Sequence, residues 1–348
     1  MAFLLKSLAI IFSAVLGLAS GAAEARTITD AAGRTVEVPD TITRLLAAGP
    51  PASVLTYVLA PDKLAGWVRE PTEEQKAYLL PSVRDLPTYG QITGKGGSAN
   101  VEAVLAAKPD IILDVGTVND TYRSLADKVQ AQTGIPYVLI DGRFADSGKT
   151  LRDVGALLGV AERAETLATY ADQRIKDLND SLAMIPADQR PRVYYGRGPE
   201  GLETRLSGSI NVEILEAVGA ENVAAAAGKG SLTQVSLEQI LSWNPDVIIA
   251  ASGKFAASAK KDPLWADVKA ITTGRVFTAP SLPYGWFDSP PAINRVIGVV
   301  WLQKLFYPDR FKGDLKAETR DFYKLFYQVD LTDEQVATLL KGAVPASK

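Results

Sequence analysis

One unit is written twice in this chain. Residues 100–113 read NVEAVLAAKPDIIL, residues 236–249 read SLEQILSWNPDVII, and the two align without a gap. Each starts on a helix-capping residue, puts a glutamate (Glu102, Glu238) at about the second helical position, and reaches Pro-Asp followed by an apolar run. Leu237, Ile240 and Leu241 recur at helical spacing, Pro245 stops the helix, and Val247-Ile248-Ile249 reads as a buried strand. Such a helix-to-strand unit, present twice, predicts two α/β halves with one copy in each.

The rest of the chain fits that division. TITDAAGRTVEVP reads as a strand pair around an Ala-Gly turn, and Leu45 to Ala48 as a short buried strand. Further strands are expected at Ala65–Val68, Ile111–Val115, Pro136–Ile140, Arg192–Tyr195, 247–251 and 275–279. Residues 161–182 carry a charged helical pattern without Gly or Pro, long enough for a helix of about 33 Å. The expected fold class is α/β: two Rossmann-like lobes, each with a central sheet, joined by one long spine helix. The expected boundaries are a signal peptide at 1–25, an N-terminal lobe at 26–146, a linker with the spine helix at 147–186, and a C-terminal lobe with a helical tail at 187–348.

The first 25 residues read as a cleaved secretory signal. Lys6 precedes a mostly apolar run from Leu8 to Ala19, too short to span a membrane, and Ala23-Glu24-Ala25 resembles a cleavage site. The absence of cysteine excludes an acylated N-terminal cysteine, so a soluble protein of the bacterial periplasm is expected. The formal charge of −3 without basic runs leaves no footprint for nucleic acid. The absence of histidine removes Ser-His-Asp catalysis, His-ligated zinc and His-ligated haem. No catalytic residue, cofactor or resident metal is expected.

A glutamate in the first helical turn is stabilised by the helix dipole by about 0.3–1 kcal/mol, and Ser236 with Gln239 reads as a capping box. Capping accounts for either glutamate alone; a matched pair, one per half, suits docking onto a two-fold partner. The sequence resembles the periplasmic binding proteins of ABC importers for iron–siderophore complexes, haem and vitamin B12, the class III or helical-backbone type. The resemblance spans residues 26–340 and rests on DAAGRTVEVP at 30–39, both copies of the repeat, the helix at 161–184, GSINVEILEAVGAENVA at 208–224 and SPPAINRVIGVVWL at 289–302. It implies two lobes flanking a shallow cleft, a monomer, and an ABC permease dimer with its ATPase as partner. It also implies that Glu102 and Glu238 pair with arginines on the two permease subunits.

Ligands of open α/β sheets bind beyond the carboxyl ends of the strands. The loops there offer Pro51, Arg69, Tyr89, Val118 and Asn119 in the first half, and Tyr195, Arg197, Tyr284 and Trp286 in the second. In RVYYGRGPEGLET, alternation puts Tyr195 and Arg197 on one face and Tyr194 on the other. Arg197, between two glycines, suits a carboxylate, a catecholate oxygen or an oxyanion. LPYGWFDSPP could stack on a flat chelate or pack into the core. GKGG at 94–97 and GKG at 228–230 lack the spacing of a nucleotide loop.

The leading expectation is delivery of a metal chelate, a ferric siderophore first. An oxyanion such as molybdate or tungstate on the same fold is the alternative, with haem or cobalamin also open. A secreted hydrolase would need two carboxylates about 5–10 Å apart, and no spacing unites Asp114, Asp141, Glu200 and Asp288.

Overall fold

A computed structural model of the chain describes residues 25–94, 99–230, 232–311 and 313–345. The signal-peptide expectation, apart from Ala25, and residues 95–97 of GKGG lie outside the described residues. Among the described residues no helix is long and apolar enough to cross a membrane.

The chain opens with an antiparallel pair, β1 (Ala25–Thr29) and β2 (Thr35–Pro39). Gly33 turns it at φ +72°, in the left-handed region that glycine enters without steric cost. A parallel sheet follows in the order β3 (Leu45–Ala47), β4 (Ile111–Gly116), β5 (Tyr137–Asp141). The second half holds β6 (Arg192–Gly196), β7 (Glu203–Arg205), β8 (Glu221–Asn222), β9 (Leu232–Gln234), β10 (Val247–Ala250) and β11 (Val276–Thr278). Its main sheet is parallel in the order β11-β10-β6-β8, and β7 with β9 makes a small antiparallel ribbon.

Both parallel sheets are covered on two faces, as parallel sheets generally are. In the first, Leu45, Ile111, Leu113 and Val138 join the main core, while Leu46, Ile112, Tyr137 and Leu139 enter a separate cluster on the other face. In the second, Val193, Tyr195, Val247 and Ile249 face the main core, and Tyr194, Ile248 and Ala250 face a third cluster. The apolar runs are continuous because neither face meets water.

The long helix Ala161–Ala183 buries Ala164, Leu167, Ala168, Ala171 and Leu178. It crosses the helix Ser147–Leu158 closely enough that a Cβ on Gly155 would lie 2.1 Å from that of Ala164. The helical tail contacts the first half as well as the second. Tyr57 OH donates to the Tyr327 carbonyl at 2.7 Å and Tyr78 OH to the Gln335 carbonyl at 3.1 Å, while Arg163 of the long helix bridges the two, its Nε donating to the Val58 carbonyl at 2.7 Å and its Nη2 to the Phe326 carbonyl at 3.2 Å.

The two copies of the repeat fold alike in detail. Asn100 and Ser236 cap helices Val101–Ala106 and Leu237–Trp243, and the Ser236–Gln239 capping box is complete. Each helix is followed by a residue at positive φ, Lys108 at 44° and Asn244 at 43°, immediately before the proline. Each aspartate then clamps the neighbouring strand. Asp110 Oδ2 accepts from the N–H groups of Thr43 and Arg44 just before β3, and Asp246 Oδ2 from Arg192 N at the start of β6. Arg44 Nε and Arg192 Nη1 return the favour to carbonyls at the helix ends, those of Ala107 and Trp243.

The strand expected at Ala65–Val68 does not form. Leu64 and Trp67 make only isolated bridges, and Trp67 is a core side chain donating to the Val83 carbonyl at 2.8 Å. A short apolar run looks the same in a buried loop as in a strand.

Candidate functional site

A cleft of about 780 Å³ is lined by both halves of the chain. Its floor on the first side comes from the ends of strands and the helix starts that follow them. Gly49-Pro50-Pro51 opens the helix Pro50–Leu59, where proline costs nothing because the first N–H groups have no helical partner. Pro51 and Ser53 line the cleft, as do Asp114, Gly116 and Val118 at the end of β4. On the second side the lining includes Arg197, Arg205, Asn211, Tyr284 and Asp288.

The β6–β7 hairpin places the cations. Arg197 N donates to the Glu203 carbonyl at 2.7 Å and Glu203 N to that of Arg197 at 3.2 Å, around glycines 198 and 201. Facing residue 197 with 203 sets Arg205 beside Tyr195, on the same face of the hairpin. Asp288 anchors this group. Its carboxylate accepts from Tyr195 OH at 3.2 Å, Asn211 Nδ2 at 2.6 Å, Ser289 N at 2.6 Å, and in a short ion pair from Arg197 Nη1.

Arg205 is left over. Its Nε is buried and has no hydrogen-bond partner. Burial, and after it the neighbouring Arg197 guanidinium, push its pKa down from the ordinary arginine value. Arginine stays protonated under such a shift, so the cleft holds a second cation beside the one that is ion-paired with Asp288. Across the lining, Ser53 is 1% exposed and its Oγ also lacks a partner. Buried polar groups are normally hydrogen-bonded, so two orphans on residues lining one cleft are exceptions to the rule.

The loop that carries Asp288 is rigidly backed. Gly285 packs so closely that a Cβ there would lie 1.7 Å from the Asp288 carbonyl oxygen. Beneath it, Trp286 Nε1 donates to Tyr323 OH at 3.1 Å, and Asn294 Nδ2 donates to the Tyr284 carbonyl at 3.1 Å.

The expected ligand-binding residues divide accordingly. Pro51, Arg69, Val118, Arg197 and Tyr284 line the cleft. Four others lie outside that lining. Trp286 is fully buried in the core. Tyr195 is 1% exposed, packed on Phe287 at 4.4 Å between ring centres, and its hydroxyl donates to Asp288 beneath the cleft lining. Tyr89 packs beside Gly66 and accepts from Arg44 Nη2 at 3.2 Å. Asn119 caps the helix Asp120–Thr133 by accepting from Tyr122 N at 3.2 Å. Tyr194 points to the other face and donates to the Gly201 carbonyl, which separates the two phenols as alternation demands.

Arg205 and Asn211 were missed. The hairpin parity that pairs 197 with 203 could have found Arg205; no local signal marks Asn211. Glu102 and Glu238 are exposed at the second position of their helices, away from the cleft lining. The Ser236 side chain and Glu238's own backbone N–H hold the Glu238 carboxyl below its usual value. Among the described residues no group of three or more Asp or Glu side chains is placed to hold a metal ion.

A family model described as periplasmic binding protein matches residues 51–283. The molybdate-binding protein MolA of Haemophilus influenzae is 30% identical over 96% of this chain and 99% of its own. An ABC transporter solute binding protein from Sulfurospirillum deleyianum superposes with a TM-score of 0.83 at 30% identity, covering 91% of this chain and 99% of that one. The structure of Haemophilus influenzae MolA bound to molybdate superposes with a TM-score of 0.71 at 26% identity, over 88% of this chain and 99% of its own.

Proposed function

The chain belongs to the periplasmic binding protein family, and we propose that it captures a small oxyanion of the molybdate and tungstate type and delivers it to the permease dimer of an ABC importer. The observation that carries this reading is Arg205: a cleft cation with a buried, unpartnered Nε beside a second arginine already paired to Asp288. A dianion supplies what that arrangement lacks. It satisfies Arg205 Nε and Ser53 Oγ and relieves the repulsion between the two guanidinium groups. The similarity to MolA along nearly the whole chain supports the same ligand class.

The ferric-siderophore expectation thereby moves to second place. It is favoured by the cleft volume of about 780 Å³, more than a tetrahedral anion fills, and by Tyr284 and Tyr122 on its wall. Against it, the aromatic that would have stacked on a chelate, Trp286, belongs to the core.

Capture involves no covalent step. The anion enters between the halves, Arg205 and Ser53 bind it, and Arg197 is held in place by Asp288. Release occurs on the importer, which the protein meets through Glu102 and Glu238, one on each half. Exposed Val101 and Leu105 flank Glu102 and give that contact an apolar border. Calorimetric titration of molybdate into the protein and into its Arg205→Met variant tests the reading. Binding that is lost or cut at least tenfold in the variant supports it; equal binding to both refutes it.

A further inference from the structure

Asp114 also lines the cleft, and the anion site just described leaves it without a role. Its residue is 6% exposed. Oδ1 accepts from Thr93 Oγ1 at 3.0 Å and Oδ2 from Tyr137 OH at 3.0 Å. Both donors are fixed in place. Tyr137 is fully buried on β5, its carbonyl accepting from Arg34 Nη1 at 3.0 Å, and Thr93 is pressed against Gly49, where a Cβ would lie 2.7 Å from its Oγ1.

The cleft carries three arginines, yet none pairs with Asp114 among the described residues. Arg197 is taken by Asp288, Arg69 donates to Gln91 Oε1 at 3.0 Å, and Arg205 lies with Arg197 on the opposite half. Among the described residues, the titratable group in contact with it is Tyr137 on β5; Tyr122 on the helix Asp120–Thr133 lines the same cleft, and Arg34, behind Tyr137, is paired with Asp30 and Asp127. Among the described residues, neither the segment ending at Thr93 and Gly94 nor the start of the helix Pro50–Leu59 presents a charge to it.

A charged carboxylate without a cation, in a cleft that takes an anion, works against binding by like-charge repulsion in a poorly solvated place. A proton between the two turns that repulsion into a short charge-assisted hydrogen bond. We infer that Asp114 couples oxyanion capture to the uptake of one proton, which is then shared between its carboxyl group and a ligand oxygen. The inference rests on the oxyanion reading above. Burial raises the Asp114 pKa above the ordinary aspartate value despite the lowering by Thr93, Tyr137 and the Val115 N–H, which eases that uptake. The proton comes from solvent and returns to it on release, so no other reactant is needed. Asp114 thereby also sets selectivity, favouring oxyanions basic enough to share a proton over those that are not.

Calorimetry of molybdate and tungstate binding, from pH 6 to 8 in buffers of different ionisation enthalpy, measures the uptake directly. The expected result approaches one proton per anion, with affinity rising up to about tenfold for each unit of pH lowered. Asp114→Asn abolishes the uptake and flattens the pH profile. Tyr137→Phe keeps the carboxyl but removes a donor to its charged form, so it keeps the uptake and displaces the profile to higher pH. Sulfate, far less basic, binds at least tenfold more weakly than molybdate, and this preference shrinks in Asp114→Asn. Binding without proton uptake, or equal uptake in the Asn variant, overturns the inference and leaves the oxyanion reading standing. If the Asn variant does not fold, an unshifted profile in Tyr137→Phe overturns it. Failure of both molybdate and tungstate to bind overturns the reading and the inference together.

Discussion

The Arg197 guanidinium and the Asp288 carboxylate form an ion pair in the cleft, with the Asp288 side chain 2% exposed and that of Arg197 20%. Asp288 also holds Tyr195, Asn211 and its own loop. Replacing it by alanine leaves a largely buried cation and a fully buried phenol without their acceptor. Breaking a buried pair in this way costs about 3–5 kcal/mol. Asp288→Ala is therefore expected to lower the denaturation midpoint sharply without changing the slope, which urea unfolding measures.

Arg205 presents the opposite case. Because its buried Nε has no partner and its guanidinium lies near that of Arg197, Arg205→Met should leave the melting temperature unchanged or raise it. A hydrogen bond to a charged group is worth about 1.5–3 kcal/mol, so oxyanion affinity should fall by roughly 10- to 150-fold. Loss of stability together with affinity would instead make Arg205 a structural residue.

Glu102 and Glu238 line no part of the cleft. The double substitution Glu102→Ala with Glu238→Ala should abolish uptake in a transport assay and leave the ligand dissociation constant intact. If binding fails as well, the docking role is wrong.

The clamps at Asp110 and Asp246 tie each repeat to its sheet. Burial alone would raise the Asp110 carboxyl, but the Thr43 and Arg44 donors outweigh it and the pKa lies below the ordinary value. At Asp246, Lys269 and the Arg192 N–H likewise overcome burial. A depressed folded-state pKa gives stability that is present above the unfolded value of about 3.9 and is lost as pH falls through the folded value. Asp110→Asn and Asp246→Asn should each cost about 2 kcal/mol at pH 7 and much less at pH 2–3, as thermal melts across that range would read.

Much of the architecture was legible because parallel strands buried on both faces give continuous apolar runs, and because the repeat announces two similar halves. The 65–68 segment was not, since Trp67 is apolar for the core and not for a sheet. The aromatic loop shows the limit more plainly. Tyr284 and Trp286 are two residues apart, yet one lines the cleft and the other fills the core. Which of them faces the cleft depends on the helical tail behind the loop, through Tyr323 and Asn294, and no local pattern encodes that contact. Arg205 was hidden because it is brought beside Tyr195 and Arg197 by a hairpin of which only one strand looked like a strand.

The most direct measurement is a thermal-shift titration of the protein with molybdate, tungstate, ferric catecholate and hydroxamate siderophores, haemin and cobalamin. A ligand that binds only the folded state stabilises it by about 2.7 kcal/mol at a hundredfold excess over its dissociation constant. The oxyanion account predicts a rise in melting temperature with molybdate or tungstate that is lost in Arg205→Met. A rise with an iron chelate or a tetrapyrrole, and none with either oxyanion, would contradict it.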